Sequence, residues 1–315
     1  MRLRALAKIN LGLDVLRRRE DGYHELRMIM QTINMYDQLD MEISRKPGIK
    51  ITTNLPFVPV NENNLVHKAA KLLMDEFDIQ EGLTVDLQKF IPVAAGMAGG
   101  SSDAAAAMIG VNRLFHLGLS VKELMERGVK IGADVPYCLL RGTALAEGIG
   151  DKLRALPACP DCYVLIGKPG ISVSTKFVYE NLHANQLEYH PPIDEMLEAI
   201  QWHNLNKIAD LMGNVLETVT IPHYPVIEEI KNHMKDHGAL NAMMSGSGPT
   251  VFGLFDDKKL AEHACEALRE SHLARTVFLT TVFNNGGRRN KMELEMHMDE
   301  YLPLRDVVFN TLRRA

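Results

Sequence analysis

The stretch best built for chemistry is Pro92-Val93-Ala94-Ala95-Gly96-Met97-Ala98-Gly99-Gly100-Ser101-Ser102-Asp103. Its glycines let backbone approach a ligand closely and adopt positive φ. A strand ending near Ile91 and a helix opening near Ser102 would hold it. The free N–H groups of a helix's first turn, with the positive end of its dipole, form an anion site. Ser101 and Ser102 add hydroxyls, one of which could reach a magnesium ion, and Asp103 is placed as a first-turn capping acid. The run is not a G-x-x-x-x-G-K-[ST] phosphate loop, a G-x-G-x-x-G dinucleotide turn or a G-x-S-x-G elbow. The competing reading is a tight helix-packing turn.

The elements around this loop follow from periodicity. Leu65, Val66, Ala69, Leu72, Leu73 and Phe77 recur at helical spacing, which predicts a helix over Asn64–Phe77. Leu83, Val85 and Leu87 alternate with polar residues as in a half-buried strand. The alanine-rich segment Ser102–Phe115 reads as the next helix, with Gly118 near its stop. Leu153–Asp161 carries two prolines and reads as a linker. Beyond it, Tyr163–Gly167, Val251–Phe255 and Val277–Thr281 read as strands, and Glu195–Leu211, Val226–His237 and Lys259–Ser271 as helices. The expected class is α+β, with a first domain over 1–155, a second over 156–284 and a tail over 285–315. In the tail, Leu304, Val307, Val308 and Leu312 predict a short amphipathic helix after a polar linker.

Composition narrows the function class. The 315 residues are 46% hydrophobic and 24% charged, so the chain can bury full cores without staples. A net charge of −5 lacks the basic excess of a general nucleic-acid binder. Four cysteines suit a reducing compartment. Cys159-Pro160-Asp161-Cys162 has no second ligand pair at zinc spacing and reads as a loop before a strand. The opening residues do not form a signal peptide, because Lys8 and Asn10 interrupt a short apolar run. No segment approaches the ~18 apolar residues of a membrane span, so the expected location is cytoplasmic.

The glycine-rich run resembles the phosphate loop of the GHMP kinases. Ala7-Lys8-Ile9-Asn10-Leu11-Gly12-Leu13 is similar to that family's first motif, and Ser245-Gly246-Ser247-Gly248-Pro249 to the core of its third. The resemblance spans about Met1 to Asn284. Asp21-Gly22-Tyr23-His24, Ile131-Gly132-Ala133-Asp134-Val135-Pro136 and Lys168-Pro169-Gly170 with Thr175 and Tyr179 are similar to the branch whose acceptor carries a cytidine diphosphate group. The implied fold is an N-terminal domain like the second domain of ribosomal protein S5, then a ferredoxin-like C-terminal domain. The implied reaction, with ATP and Mg2+, phosphorylates the 2-hydroxyl of 4-diphosphocytidyl-2-C-methyl-D-erythritol in non-mevalonate isoprenoid synthesis. No nucleic-acid or membrane partner is implied, and the assembly stays open between monomer and homodimer.

The resemblance also implies roles. Pro92 to Ser102 would hold the triphosphate. Asp134 would orient the acceptor hydroxyl or take its proton, and Lys8 would offset developing charge. By residue type alone, Asp134 reads equally well as a helix cap, and Lys8 as a solvated strand lysine. Tyr23 and Tyr179 are candidate stacking partners for the pyrimidine, with core packing the alternative for Tyr179. His24 would read the pyrimidine edge, Asn10 and Thr175 would bind the polyol, and Gly246 would let backbone approach substrate and phosphate loop. Leu55–Asn64 is a candidate contributor to the adenine pocket. The metal ligands are not marked. Ala98 stands where the family has glycine; if φ is positive there, alanine costs about 1 kcal/mol. The tail resembles the opening helix of a GntR-type transcription regulator, but the rest of a winged helix is missing. Two other readings stand beside this one: a GHMP kinase for another small alcohol, and a non-catalytic nucleotide-binding sensor.

Overall fold

The computed structural model describes residues 1–285. Within them the chain runs β1 (Arg2–Arg18), β2 (His24–Ser44), β3 (Ile49–Thr53), α1 (Leu65–Glu76), β4 (Gly82–Gln88), α2 (Gly99–Leu114), α3 (Val121–Gly128), α4 (Val135–Leu140), β5 (Thr143–Gly148) and β6 (Lys152–Ala155). It continues through β7 (Tyr163–Lys168), α5 (Thr175–Asn181), α6 (Ile193–Gln201), α7 (Leu205–Asp210), β8 (Gly213–Asn214), α8 (Glu217–His223), α9 (Val226–Asp236), β9 (Asn241–Met244), β10 (Val251–Phe255), α10 (Lys258–Glu270) and β11 (Thr276–Thr281).

The first sheet is ordered β3-β4-β2-β1-β8, with β5 paired to β2 and β6 to β5. Its backbone is the long antiparallel pair β1–β2, in register from Arg2↔Asp40 to Arg18↔His24. Ala5, Ala7, Ile9, Leu11, Leu13 and Val15 alternate along β1 and are all buried. Register shifts between Leu6 and Lys8 and between Asn10 and Gly12 twist this strand locally. Lys8 and Asn10, two residues apart, lie on the face opposite Ala7, Ile9 and Leu11, whereas Ala5, Leu13 and Val15 belong to a different core from those three. The short side chains of Ala104, Ala105, Ala106 and Ala107 let α2 pack tightly against β1 and α1.

The second sheet, β11-β7-β10-β9, is antiparallel throughout. With helices between β7 and β9 and between β10 and β11, this is the βαββαβ ferredoxin-like arrangement. α9 and α10 cover one face so closely that a β-carbon on Gly167 of β7 would lie 2.9 Å from Leu268 and 3.0 Å from Met234. A separate core joins Ala7, Ile9 and Leu11 of β1 with Ile29 and Ile33 of β2, Val164 and Ile166 of β7, and Phe252 and Leu254 of β10. The two parts also interlock: Gly213 and Asn214 of β8 pair in parallel with Gly12 and Leu13 of β1.

The α+β expectation holds, and several boundaries move. The helix expected from Asn64 forms with Asn64 as its cap, Oδ1 accepting from Val66 N–H. The strand before the phosphate loop ends at Gln88, not Ile91, and α2 opens at Gly99, not Ser102. Asp103 therefore lies past the first turn, where it caps nothing. The helix expected over Glu195–Leu211 is two helices, because His203 turns left-handed (φ 50°) and Asn204 caps the next. The expected linker Leu153–Asp161 begins inside β6. The helix expected around Leu304, Val307, Val308 and Leu312 lies outside the described residues.

Candidate active site

The segment between β4 and α2 reverses direction through three left-handed residues, Ala94 (φ 51°), Gly96 (φ 72°) and Ala98 (φ 55°). Ala98 is the N-cap of α2, so alanine does occupy a position that favours glycine. The first helical bond of α2 runs from Ser102 N–H to Ala98 O at 2.9 Å. The amides of Gly99, Gly100 and Ser101 are thereby left for a ligand, at the positive end of a 16-residue helix.

These amides face a cavity of about 900 Å³. Pro92, Val93, Ala94, Ala95, Gly96, Ala98, Gly99, Gly100 and Ser101 line it. Met97 and Ser102 do not. The Met97 side chain is 1% exposed in the inter-sheet core, and only its backbone serves the site, its carbonyl accepting from Lys8 N–H at 3.2 Å. The Ser102 hydroxyl donates to Leu6 O at 2.6 Å, so Ser101 carries the free hydroxyl of the pair.

Lys8, Asn10 and Asp134 meet on the wall of the same cavity. Lys8 is 5% exposed, not solvated, and its Nζ donates to Asn10 Oδ1 at 2.7 Å. Asp134 stands at the N-cap position of α4, yet its side chain makes no capping bond. The cap reading for this carboxylate is therefore not realised, and the carboxylate is left to the cavity. No Lys8–Asp134 ion pair forms among the described residues; each is held separately by its own element. Burial pushes the Cys138 thiol up, with Asp134 adding to that effect and Lys8 opposing it.

The cavity is also lined by Tyr23, His24 and Tyr179. The His24 and Tyr179 rings lie 5.2 Å apart at 38°, and Tyr23 is 61% exposed on the rim. Burial, and then the Arg18 charge, hold His24 below its ordinary value, which keeps the ring neutral at neutral pH. Burial and the Asp134 charge push the Tyr179 phenol up. Thr175 opens α5, and its hydroxyl shares a 2.8 Å hydrogen bond with Ser247.

Gly246 (φ 58°) lies beside the phosphate loop, and Ser245 Oγ donates to Gly96 O at 3.0 Å. Asn214 holds this turn from below, its Nδ2 donating to Met244 O and Gly246 O at 2.8 Å each. Glu217 adds a second support, accepting from Met244 N–H at 2.7 Å. Neither was anticipated from sequence. Of the expected adenine segment, Val58, Pro59, Asn63 and Asn64 line the cavity. Lys89, Arg18 and Lys176 also line it and were missed. For Lys89 the available signal was a basic residue three places before Pro92.

A helix N-terminus with free amides, the Asp134 carboxylate, the Lys8 ammonium and three aromatic rings thus share one cavity. Residues 64–142 match the GHMP kinases N terminal domain, and residues 191–273 match the GHMP kinases C terminal domain.

The chain belongs to the GHMP kinase family.

Among the relatives of this GHMP kinase, a 4-diphosphocytidyl-2-C-methyl-D-erythritol kinase from Lachnospira eligens is 57% identical over 283 residues, covering 90% of this chain and 98% of the relative. A kinase of the same name from Caldicellulosiruptor bescii is 46% identical, covering 91% of this chain and all of the relative. Among solved structures, a 4-(cytidine 5'-diphospho)-2C-methyl-D-erythritol kinase superposes with TM-score 0.77 at 32% identity, covering 91% of this chain and 100% of that one. Mevalonate kinase from L. major, at 18% identity and TM-score 0.71 over 91% of this chain and 97% of that one, shares the fold. Among the described residues no helix is long and apolar enough to cross a membrane.

Proposed function

We propose that this GHMP kinase transfers the γ-phosphoryl group of ATP to the 2-hydroxyl of 4-diphosphocytidyl-2-C-methyl-D-erythritol, a step of non-mevalonate isoprenoid synthesis. The observation that carries the reading is one cavity lined by Gly99–Ser101, by Tyr23, His24 and Tyr179, and by Lys8, Asn10 and Asp134. The names of the relatives support the same substrate.

In this reading the free amides of α2 hold the triphosphate and the aromatic recess takes the cytosine. Asn10 positions the polyol. Asp134 orients the attacking hydroxyl and accepts its proton as the new P–O bond forms and the bond to the β-phosphate breaks, releasing ADP. Lys8, fixed by Asn10, offsets charge on the transferred group. Because the transition state of such transfers is loose, Asp134 contributes more through orientation than basicity.

The donor set fits Mg2+, which is typically held by substrate phosphates and few protein oxygens. Among the described residues no group of three or more His, Cys, Asp or Glu side chains forms a metal cage. The Ser101 hydroxyl would hold the ion, and its charge would neutralise the phosphate oxygens. The proposed compartment is the cytoplasm, in keeping with four free cysteines.

The test is a coupled ADP-release assay with the cytidyl substrate beside homoserine and mevalonate, run with and without magnesium and with Asp134→Asn. Turnover that needs the cytidyl substrate and magnesium, and falls at least about 100-fold in the variant, is expected. Turnover of another alcohol in its place would overturn the substrate assignment.

A further inference from the structure

Three charged side chains are buried together beneath the phosphate loop, and the catalytic scheme above uses none of them. Asp37 on β2 is 0% exposed, Lys89 just after β4 is 5% exposed, and Asp103 in α2 is 3% exposed. The Lys89 ammonium is paired with Asp37 Oδ2 and lies 2.6 Å from Asp103 Oδ2. Asp37 Oδ1 accepts from the Phe90 and Ile91 amides, the latter at 2.8 Å. Burial alone would lower the Lys89 ammonium, but the two carboxylates more than reverse this. Burial and Asp37 push the Asp103 carboxyl well up, with Lys89 opposing.

Such a cluster is poorly explained by stability. Buried ion pairs lose much of their attraction to desolvation, and apolar replacements are often no worse. Its placement suggests another role. Residues 89–91 enter the phosphate loop, and Asp103 lies just beyond its exit. Lys89 Nζ lies against the start of α2, 3.3 Å from where a β-carbon on Gly99 would be. Between the end of β4 and the start of α2 the chain has no strand or helix.

We infer that Asp37, Lys89 and Asp103 are positioning residues that clamp the two ends of the phosphate loop, keeping the Gly99, Gly100 and Ser101 amides aimed into the cavity before the nucleotide arrives. The inference rests on the proposed nucleotide-binding role of that loop, but not on which alcohol is phosphorylated. Asp37 does not line the cavity. Any effect of Asp37 on nucleotide binding must therefore act through the loop, which separates clamping from direct contact. Lys89 and Asp103 do line the cavity and cannot make that distinction alone.

The experiment is calorimetry on the full chain with magnesium, using a non-hydrolysable ATP analogue and, separately, cytidine diphosphate. Asp37→Asn keeps an acceptor for the Phe90 and Ile91 amides but breaks the charge pairing with Lys89. It is expected to weaken the ATP analogue by about ten-fold or more while leaving cytidine diphosphate within about two-fold. In turnover, KM for ATP rises and kcat at saturating ATP changes little. Asp103→Asn, which retains a hydrogen bond to Lys89, is expected to act in the same direction; if Asp37→Asn does not fold, Asp37→Glu, which keeps the charge but displaces the carboxylate from Lys89 at a residue outside the cavity, serves in its place. Wild-type affinity for the analogue in either folded variant, or equal weakening of both probes, would overturn the clamp. A wild-type protein that binds the analogue yet leaves the cytidyl substrate untouched would instead overturn the proposed substrate, with the clamp still read from the analogue.

Discussion

Gly96 faces the Ser245 carbonyl so closely that a β-carbon built on it would lie 2.1 Å from that oxygen. The phosphate loop and the turn after β9 are thus in backbone contact across the cavity wall, 149 residues apart in sequence. Gly96 also holds φ 72°, so both space and conformation require glycine. Gly96→Ala is expected to lose about 2 kcal/mol or more and to abolish measurable ATP affinity. Calorimetry and thermal melts check this; a variant that binds ATP normally would show that the contact is dispensable.

The two serines of the loop should separate cleanly. Ser102 is buried with its hydroxyl on Leu6 O, so Ser102→Ala should cost about 1–2 kcal/mol of stability and leave the magnesium dependence of turnover unchanged. Ser101 has its hydroxyl free at the cavity, so Ser101→Ala should lower kcat at little cost in stability. The opposite pattern would reverse the assignment of the metal-facing hydroxyl.

Ala98 carries strain that glycine would relieve. It holds φ 55° and ψ 29° as the N-cap of α2. Ala98→Gly is expected to stabilise the fold by about 0.5–1 kcal/mol, the relief of left-handed strain exceeding the added entropy of the unfolded chain. Urea unfolding measures it, and a destabilised variant would contradict the conformational account.

His24 predicts a one-sided pH dependence. Its folded value lies below the ordinary 6.5, so protonation is disfavoured in the native site. Stability from the neutral ring is present at higher pH and declines as pH falls through the unfolded value and down to the depressed folded one. If the neutral ring reads the cytosine, cytidine diphosphate affinity should stay flat through 6.5 and weaken only as pH falls through the lowered folded value, by at most about ten-fold per pH unit. His24→Gln should remove the slope; a slope that persists in this variant assigns it elsewhere.

Asn214 supports the turn that carries Gly246. Asn214→Ala removes two donors and leaves the buried carbonyls of Met244 and Gly246 without them, at a cost of about 1–3 kcal/mol. Loss of affinity for the acceptor should accompany it. A stable variant with unaltered KM for the acceptor would mean that the turn holds itself.

Short-range chemistry was legible in the sequence. The glycine-rich loop before a helix, the helix from Asn64, the alternation in β4 and the helices α9 and α10 depend on neighbours within a few residues. The left-handed conformation at Ala98 was signalled only by the resemblance, which has glycine there. Tertiary structure decided what those neighbours could not. Ser102 and Asp103 looked like an anion donor and a helix cap, but Leu6 O and Lys89 engage them first. Lys8 read as a solvated strand residue until the sheet and loop buried it against Asn10. Asp134 kept its carboxylate for the cavity although its backbone stands at a cap position. Periodicity tells which face of a strand or helix is covered, but not by what. The meeting of Lys8, Asp134, Tyr179 and Gly246 in one cavity therefore depends on how β1, α4, α5 and the turn after β9 pack.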